Sequence, residues 1–148
     1  MAKKTLVMMV GLPRSGKSTL AKAMSKKTGA PIVTPDQVRL AIHGQPFVPS
    51  AEKLVWAHVD IMVRALFGNH DTVILDATNT NRRVRDEWRR PSQWNRVFLL
   101  VDTDKDECAK RAYMTNQTYL IPVIEKMHEN FEPVSKDELD EGDAVSKS

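Results

Sequence analysis

The chain has a single cysteine among 148 residues, Cys108, which leaves no partner for an intramolecular disulfide. A small secreted scaffold stapled by disulfides is thereby excluded, and a reducing cytoplasm is the expected compartment. No apolar run approaches the roughly 20 residues that a membrane-crossing helix needs, so no membrane partner is expected. The apolar part of "MAKKTLVMMV" runs into a glycine-rich turn, not a small-residue cleavage site, and reads as a first strand and not as a signal peptide. The four histidines, His43, His58, His70 and His128, show no metal-ligand spacing. His58 falls between Val55 and Met62 on a helix stripe, where a packed histidine is expected, and Cys108 reads as buried and inert. Internal repeats and low-complexity segments are absent as well.

What is present suits one core in one domain, with 41% hydrophobic residues. Charge is uneven along it. Residues 131–148, "FEPVSKDELDEGDAVSKS", hold six acids and two lysines, so residues 1–130 carry +7 while the whole chain carries +3. A basic body favours anionic ligands such as nucleotides and nucleic acid. The polar, aperiodic tail predicts a segment at 131–148 that is disordered or loosely attached to a single domain at 1–130.

Strands are predicted at "TLVMMV", "PIVTP", "TVILDAT" and "RVFLLVDT", and helices between and after them. In the first helix Leu20 and Met24 share a face, and Gly29 marks its stop. The helix in "SAEKLVWAHVDIMVRALFGN" has Val55, Val59, Met62 and Leu66 as its buried stripe, and "RRVRDEWRR" reads as a basic helix. Asp104, with Glu107 three residues on, opens a further helix in the manner of a capping box. Apolar strands alternating with helices predict an α/β fold, a parallel sheet of about four strands with helices on both faces.

After the first strand, "GLPRSGKS" at residues 11–18 matches the phosphate-binding pattern G-x-x-x-x-G-K-[ST]. Gly11 and Gly16 permit the tight turn that aims successive backbone N–H groups at phosphate oxygens, and the helix behind adds the positive end of its dipole. Nucleotide contacts are predicted for Gly11, Leu12, Pro13, Arg14, Ser15, Gly16, Lys17, Ser18 and Thr19. Lys17 is expected to reach the β- and γ-phosphates, and Ser18 to ligate Mg²⁺. ATP is the default nucleotide, since no guanine-specifying motif is evident.

Asp36 follows the second strand, where an open α/β sheet places its ligand crevice, and Arg39 lies one helical turn on. A carboxylate there can take the proton of an attacking hydroxyl, and the arginine can hold that carboxylate or grip an acceptor phosphate. The same two residues also suit a helix start with a surface ion pair; the neighbouring phosphate loop favours the catalytic reading. Asp76 ends the third strand, where a carboxylate can order water around Mg²⁺. Thr78 and Asn79 fit a strand-end turn and helix cap equally well.

In order, "GLPRSGKST", "TPDQVR", "ILDATNTN" and "ECAKR" with the later Ile121–Pro122 resemble the motifs of phage-type polynucleotide 5′-kinases, over roughly residues 5–125. The D-x-x-R and D-x-T-N elements discriminate more than the phosphate loop, which many families share. The resemblance implies a P-loop kinase fold with a helical lid, and transfer of the γ-phosphate of ATP to a 5′-hydroxyl of DNA or RNA. It implies Asp36 as general base and Arg39 as an acceptor contact, with Thr78, Asn79 and Pro122 on the acceptor side. Lys17 and Ser18 would serve ATP and the metal.

This chain departs from that family in the lid, which usually carries two arginines one helical turn apart. Arg111 matches the first, but position 115 is threonine and no basic residue follows before Lys126. A lid cation stabilises charge on the transferring phosphoryl group. Arg14 is the nearest substitute, expected to reach over the γ-phosphate; the alternative is an Arg14 that points to a nucleic-acid phosphate or to solvent.

"NRRVRDEWRRPSQWNR" sets Arg82, Arg83, Arg85, Arg89, Arg90 and Arg96 against Asp86 and Glu87 alone, with Trp88 and Trp94 interleaved. The stretch reads either as a phosphate-tracking surface with stacking aromatics or as a solvated helix face whose tryptophans pack inward. The expected function is an ATP- and Mg²⁺-dependent phosphotransferase acting on a nucleic-acid hydroxyl. Other acceptors keep the same chemistry: a hydroxymethylated base in DNA, or a small metabolite. A nucleotide-binding regulator that transfers nothing is the rival from another class.

Overall fold

The computed structural model of the chain describes residues 3–148. Its frame is the apolar run at the start of the sequence. Strand β1 (Thr5–Val10) is buried from Leu6 onward, so both of its faces must be covered. Side chains alternate along a strand. Leu6, Met8 and Val10 therefore enter one core with Trp88, Trp94 and Phe98, while Val7 and Met9 enter another with Ala21, Ile74 and Leu99. The remaining strands are β2 (Ile32–Val33), β3 (Thr72–Leu75), β4 (Asn95–Leu100) and β5 (Ala144–Lys147). All pairings are parallel, and the order is β2-β3-β1-β4-β5.

The helices are α1 (Lys17–Thr28), α2 (Pro35–His43), α3 (Glu52–Leu66), α4 (Arg82–Glu87), α5 (Lys105–Met114) and α6 (Ile121–Glu129). Helices α1 and α2 end where glycine takes the left-handed backbone, at Gly29 (φ 79°) and Gly44 (φ 72°). Asp104 caps α5 by accepting from the Asp106 N–H. In α3 the buried stripe is Val55, Val59 and Val63, one residue in every four; Met62 is 41% exposed and His58 faces outward, contrary to the packing expected of both. The basic helix is shorter than its charge run, because Trp88 and Trp94 turn into the core, where Trp94 stacks on Phe67 and Trp88 lies tilted against Trp94. Among the described residues no helix is long and apolar enough to cross a membrane.

The largest correction concerns residues 131–148, which are not loosely attached. Ala144–Lys147 extends the sheet as β5, pairing with β4 from Val97↔Ala144 to Leu100↔Lys147. Glu138 is fully buried. The cause is charge, since the acids of this segment meet the arginine-rich stretch. Arg82 pairs with Asp137 at 2.6 Å, Arg85 with Glu138 at 2.7 Å, Arg89 with Asp140 at 2.9 Å and Arg96 with Asp143 at 2.8 Å. Gly142 is required on the way to β5: its φ is 92°, and a β-carbon there would lie 2.7 Å from the Asn95 side chain. The segment shows no apolar period because its buried partners are ions. The domain thus continues through β5, and a strand is added to the four expected.

Candidate active site

Parallel strands bring the predicted site residues to one edge of the sheet. The loop 11–16 follows β1, Asp36 is the second residue of the helix after β2, and Asp76 directly follows β3. Such an edge, beyond the carboxyl ends of the strands, is where open α/β sheets hold ligands.

The loop is fastened from three sides. The Gly11 N–H donates to the Thr78 carbonyl at 3.0 Å, and Asn79 Nδ2 donates to the Met9 carbonyl at 2.7 Å. From the β4 side, Thr103 Oγ1 donates to the Ser15 carbonyl at 2.6 Å. Leu12 packs on Cys108, Ala112 and Ile124, which ties the loop to α5 and α6. Gly11 has no room for a side chain, since a β-carbon would lie 2.8 Å from both Ser15 Oγ and the Val101 carbonyl. Gly16 has φ 102°. Pro13 is half-buried and Thr19 exposed on the first turn of α1.

Lys17 is buried, and its Nζ donates across the loop to the Leu12 carbonyl at 3.1 Å. Burial pushes the ammonium below its ordinary value, while the carboxylates of Asp76 and Asp36 oppose that shift. Ser18 Oγ donates to Asp76 Oδ2 at 2.7 Å, so the two residues predicted to serve Mg²⁺ meet. A hydroxyl and a carboxylate are the hard oxygen donors that Mg²⁺ takes from protein when phosphates and water complete its shell. Ser15 Oγ and Arg14 Nε are buried at the loop with no protein partner. A phosphate fits such orphaned donors.

On the acceptor side, Asp36 is 77% exposed at its side chain, and its Oδ1 accepts from Arg39 Nη1 at 2.7 Å. Arg39 is itself clamped by Glu52, with Nε and Nη2 donating at 3.0 and 2.7 Å in a bidentate pair. The carboxylate thus faces solvent while the arginine behind it is fixed. Glu52 lies thirteen residues from Arg39 on another helix, so no local pattern reveals it. Thr103 is likewise hidden from sequence reasoning.

Arg111 reaches the loop: its Nη1 donates to the Arg14 carbonyl at 3.2 Å, and its Nε to Glu107 at 3.2 Å. Glu107 is four residues earlier on the same helix, a spacing that was there to be read. Thr115 is the C-cap of α5, and its hydroxyl donates back to the Arg111 carbonyl at 2.8 Å. The second lid position is therefore a helix end. Arg14 holds a left-handed backbone, φ 65°, which costs a residue bearing a β-carbon about 1–2 kcal/mol.

Three acceptor-side candidates are placed differently from one another. Asn79 is 2% exposed; its Nδ2 donates to the Met9 carbonyl and so helps fasten the loop, while its Oδ1 is buried without a protein partner. Thr78 is half-buried and contributes its carbonyl to the loop. Pro122 is exposed in the first turn of α6, where proline suits a helix start.

The sequence model of a family described as "AAA domain" matches residues 6–134. No curated protein sequence matches the chain. Among solved structures, a chain of the Pnkp1/Rnl/Hen1 complex is 30% identical with a TM-score of 0.68, over 75% of this chain and 40% of that one. A chain of the Pnkp1/Rnl/Hen1 RNA repair complex is 24% identical with a TM-score of 0.69, over 89% of this chain and 47% of that one. The present chain thus spans less than half the length of either. A gluconokinase from Sinorhizobium meliloti 1021 shares the fold at 18% identity and a TM-score of 0.60, over 99% of this chain and 82% of that one.

Proposed function

The chain belongs to the AAA-domain family, and from that premise we propose that it is an ATP-dependent kinase of a nucleic-acid hydroxyl, the 5′-hydroxyl of DNA or RNA. One observation carries the catalytic part: the exposed Asp36 carboxylate, held by Arg39, stands at the same sheet edge as Lys17. The nucleic-acid part is supported by the 30% identity to a chain of the Pnkp1/Rnl/Hen1 complex, which a second structure describes as an RNA repair complex.

In this reading the backbone amides of 11–16 and Lys17 hold the β- and γ-phosphates of ATP. Ser18 and Asp76 would hold Mg²⁺, which supplies charge neutralisation between those phosphates. Asp36 takes the proton of the acceptor hydroxyl as its oxygen bonds to the γ-phosphorus, and the bond from that phosphorus to the bridging oxygen breaks to release ADP. Arg39 orients Asp36 in this reading, and Arg111 and Arg14 are the cations it assigns to charge on the moving phosphoryl group.

Incubation with Mg²⁺ and γ-labelled ATP tests the proposal, with four parallel arms: 5′-hydroxyl DNA or RNA, the 5′-phosphorylated strand, DNA with hydroxymethyl bases and blocked 5′ ends, and a metabolite panel that includes gluconate. Label on free 5′ ends alone is the expected result. Label on the hydroxymethyl strand or on a metabolite moves the acceptor, and label nowhere, with ATP bound, refutes the kinase.

A further inference from the structure

Five of the six arginines between residues 82 and 96 are occupied by acids, four of them by the C-terminal segment and Arg90 by Asp60. Arg83 is the exception. Among the described residues neither it nor Lys126 of α6 joins an ion pair. Both are exposed, and both line one open groove of about 560 Å³ between α6 and the loop after β3. Asn81 and Asn130 line it with them; Asn81 uses its Oδ1 to cap α4, which leaves its amide N–H groups as donors. The one acid of the groove, Glu132, does not balance two cations. Val123 and Met127 add an apolar wall.

The groove adjoins the phosphate loop. Ile124 of α6 packs on Leu12, and the Glu132 N–H donates at 2.9 Å to the Thr80 carbonyl, one residue beyond the Asn79 that grips β1. Donors of positive charge beside an apolar wall fit the backbone and bases of a single strand, where cations follow phosphates and side chains lie against bases.

We infer that this groove is a phosphodiester subsite, in which Arg83 and Lys126 each hold a backbone phosphate of a single-stranded oligonucleotide beyond its 5′-terminal nucleotide. Naming that strand the acceptor rests on the kinase reading; binding of the strand does not.

Fluorescence anisotropy of a 3′-labelled single strand over a salt series tests the subsite without requiring transfer. R83A/K126A is expected to bind at least about tenfold more weakly at low salt, and to flatten the slope of log K against log salt by about 1.4, two phosphates at roughly 0.7 each. The charge-conserving R83K/K126R is expected to keep affinity and slope. R89A removes an arginine already paired with Asp140 and is expected to change neither. No binding by the wild-type chain, an unchanged slope in R83A/K126A, or an equal fall in R89A overturns the subsite. In transfer assays the wild-type KM should be lower for a long acceptor than for a nucleoside 3′-phosphate, and R83A/K126A should remove that difference. Binding that falls in the double variant while the wild type transfers no label upholds the subsite and overturns the kinase. Transfer to 5′ ends with the same length dependence in both proteins does the reverse.

Discussion

Arg85 and Glu138, 53 residues apart, form an ion pair from which water is fully excluded. Arg85 Nε and Nη2 donate to the two carboxylate oxygens at 2.7 and 3.2 Å, and Nη1 donates to the Asn79 carbonyl at 3.0 Å. The pair therefore connects the C-terminal segment to the loop that grips β1 beside the phosphate site. Removing one partner strands a buried charge, which is far costlier than removing a surface pair. Glu138→Ala is expected to cost about 3–5 kcal/mol in urea unfolding. Replacing both residues with leucine or methionine should recover most of it, and an E138A loss within that of a surface substitution would refute the account.

Acid should weaken the same attachment. Burial pushes the Glu138 carboxyl up, but hydrogen bonds from Arg85 and the Ser135 N–H outweigh it and hold the group below its ordinary 4.5. Arg82 and Ser135 hold Asp137 down to about 2. A carboxyl whose value is lower folded than unfolded stabilises the fold above its unfolded value, and that contribution is lost as pH falls through the folded one. Unfolding midpoints should be level above about pH 5 and fall towards pH 2. Glu138→Gln should show a shallower decline.

Arg14 combines a backbone cost with an unpartnered Nε, and the two separate by substitution. Arg14→Gly accepts φ 65° without strain and should raise stability by up to about 1 kcal/mol, the relieved strain being partly offset by glycine's greater freedom in the unfolded chain. If Arg14 supplies the lid cation, the same variant should lower single-turnover transfer by about 10³-fold or more, with ATP affinity little changed. A full transfer rate in Arg14→Gly would assign the residue to acceptor binding or solvent.

Asp36→Asn keeps the shape and one acceptor oxygen for Arg39 while removing the proposed base. Transfer should fall by about 10²- to 10⁴-fold. ATP affinity measured by calorimetry should hold, because the proposal assigns ATP to the loop and Lys17. Equal loss of ATP binding would make Asp36 a structural partner of Lys17 instead.

Much of the site was legible because its chemistry is local. Gly11, Gly16, Lys17 and Ser18 sit at fixed spacing in a loop whose neighbours are a strand and a helix, and the Asp36–Arg39 contact spans one turn. Glu52 and Thr103 were not legible, since each reaches its partner from another element. Asn79 suits a strand-end turn, a cap or a ligand contact in the sequence, and only the fold shows that its Nδ2 grips the Met9 carbonyl of β1.

The sequence alone determined the central strand, the phosphate loop and the alternation of strands with helices, because apolar period and glycine spacing are short-range signals that survive without a partner. Tertiary structure alone decided the fate of the two charged segments. Neither the arginines of 82–96 nor the acids of 131–148 carry a period that predicts burial. Their energies depend on meeting each other: apart, each segment belongs in water, and together they bury an ion pair and extend the sheet by a strand.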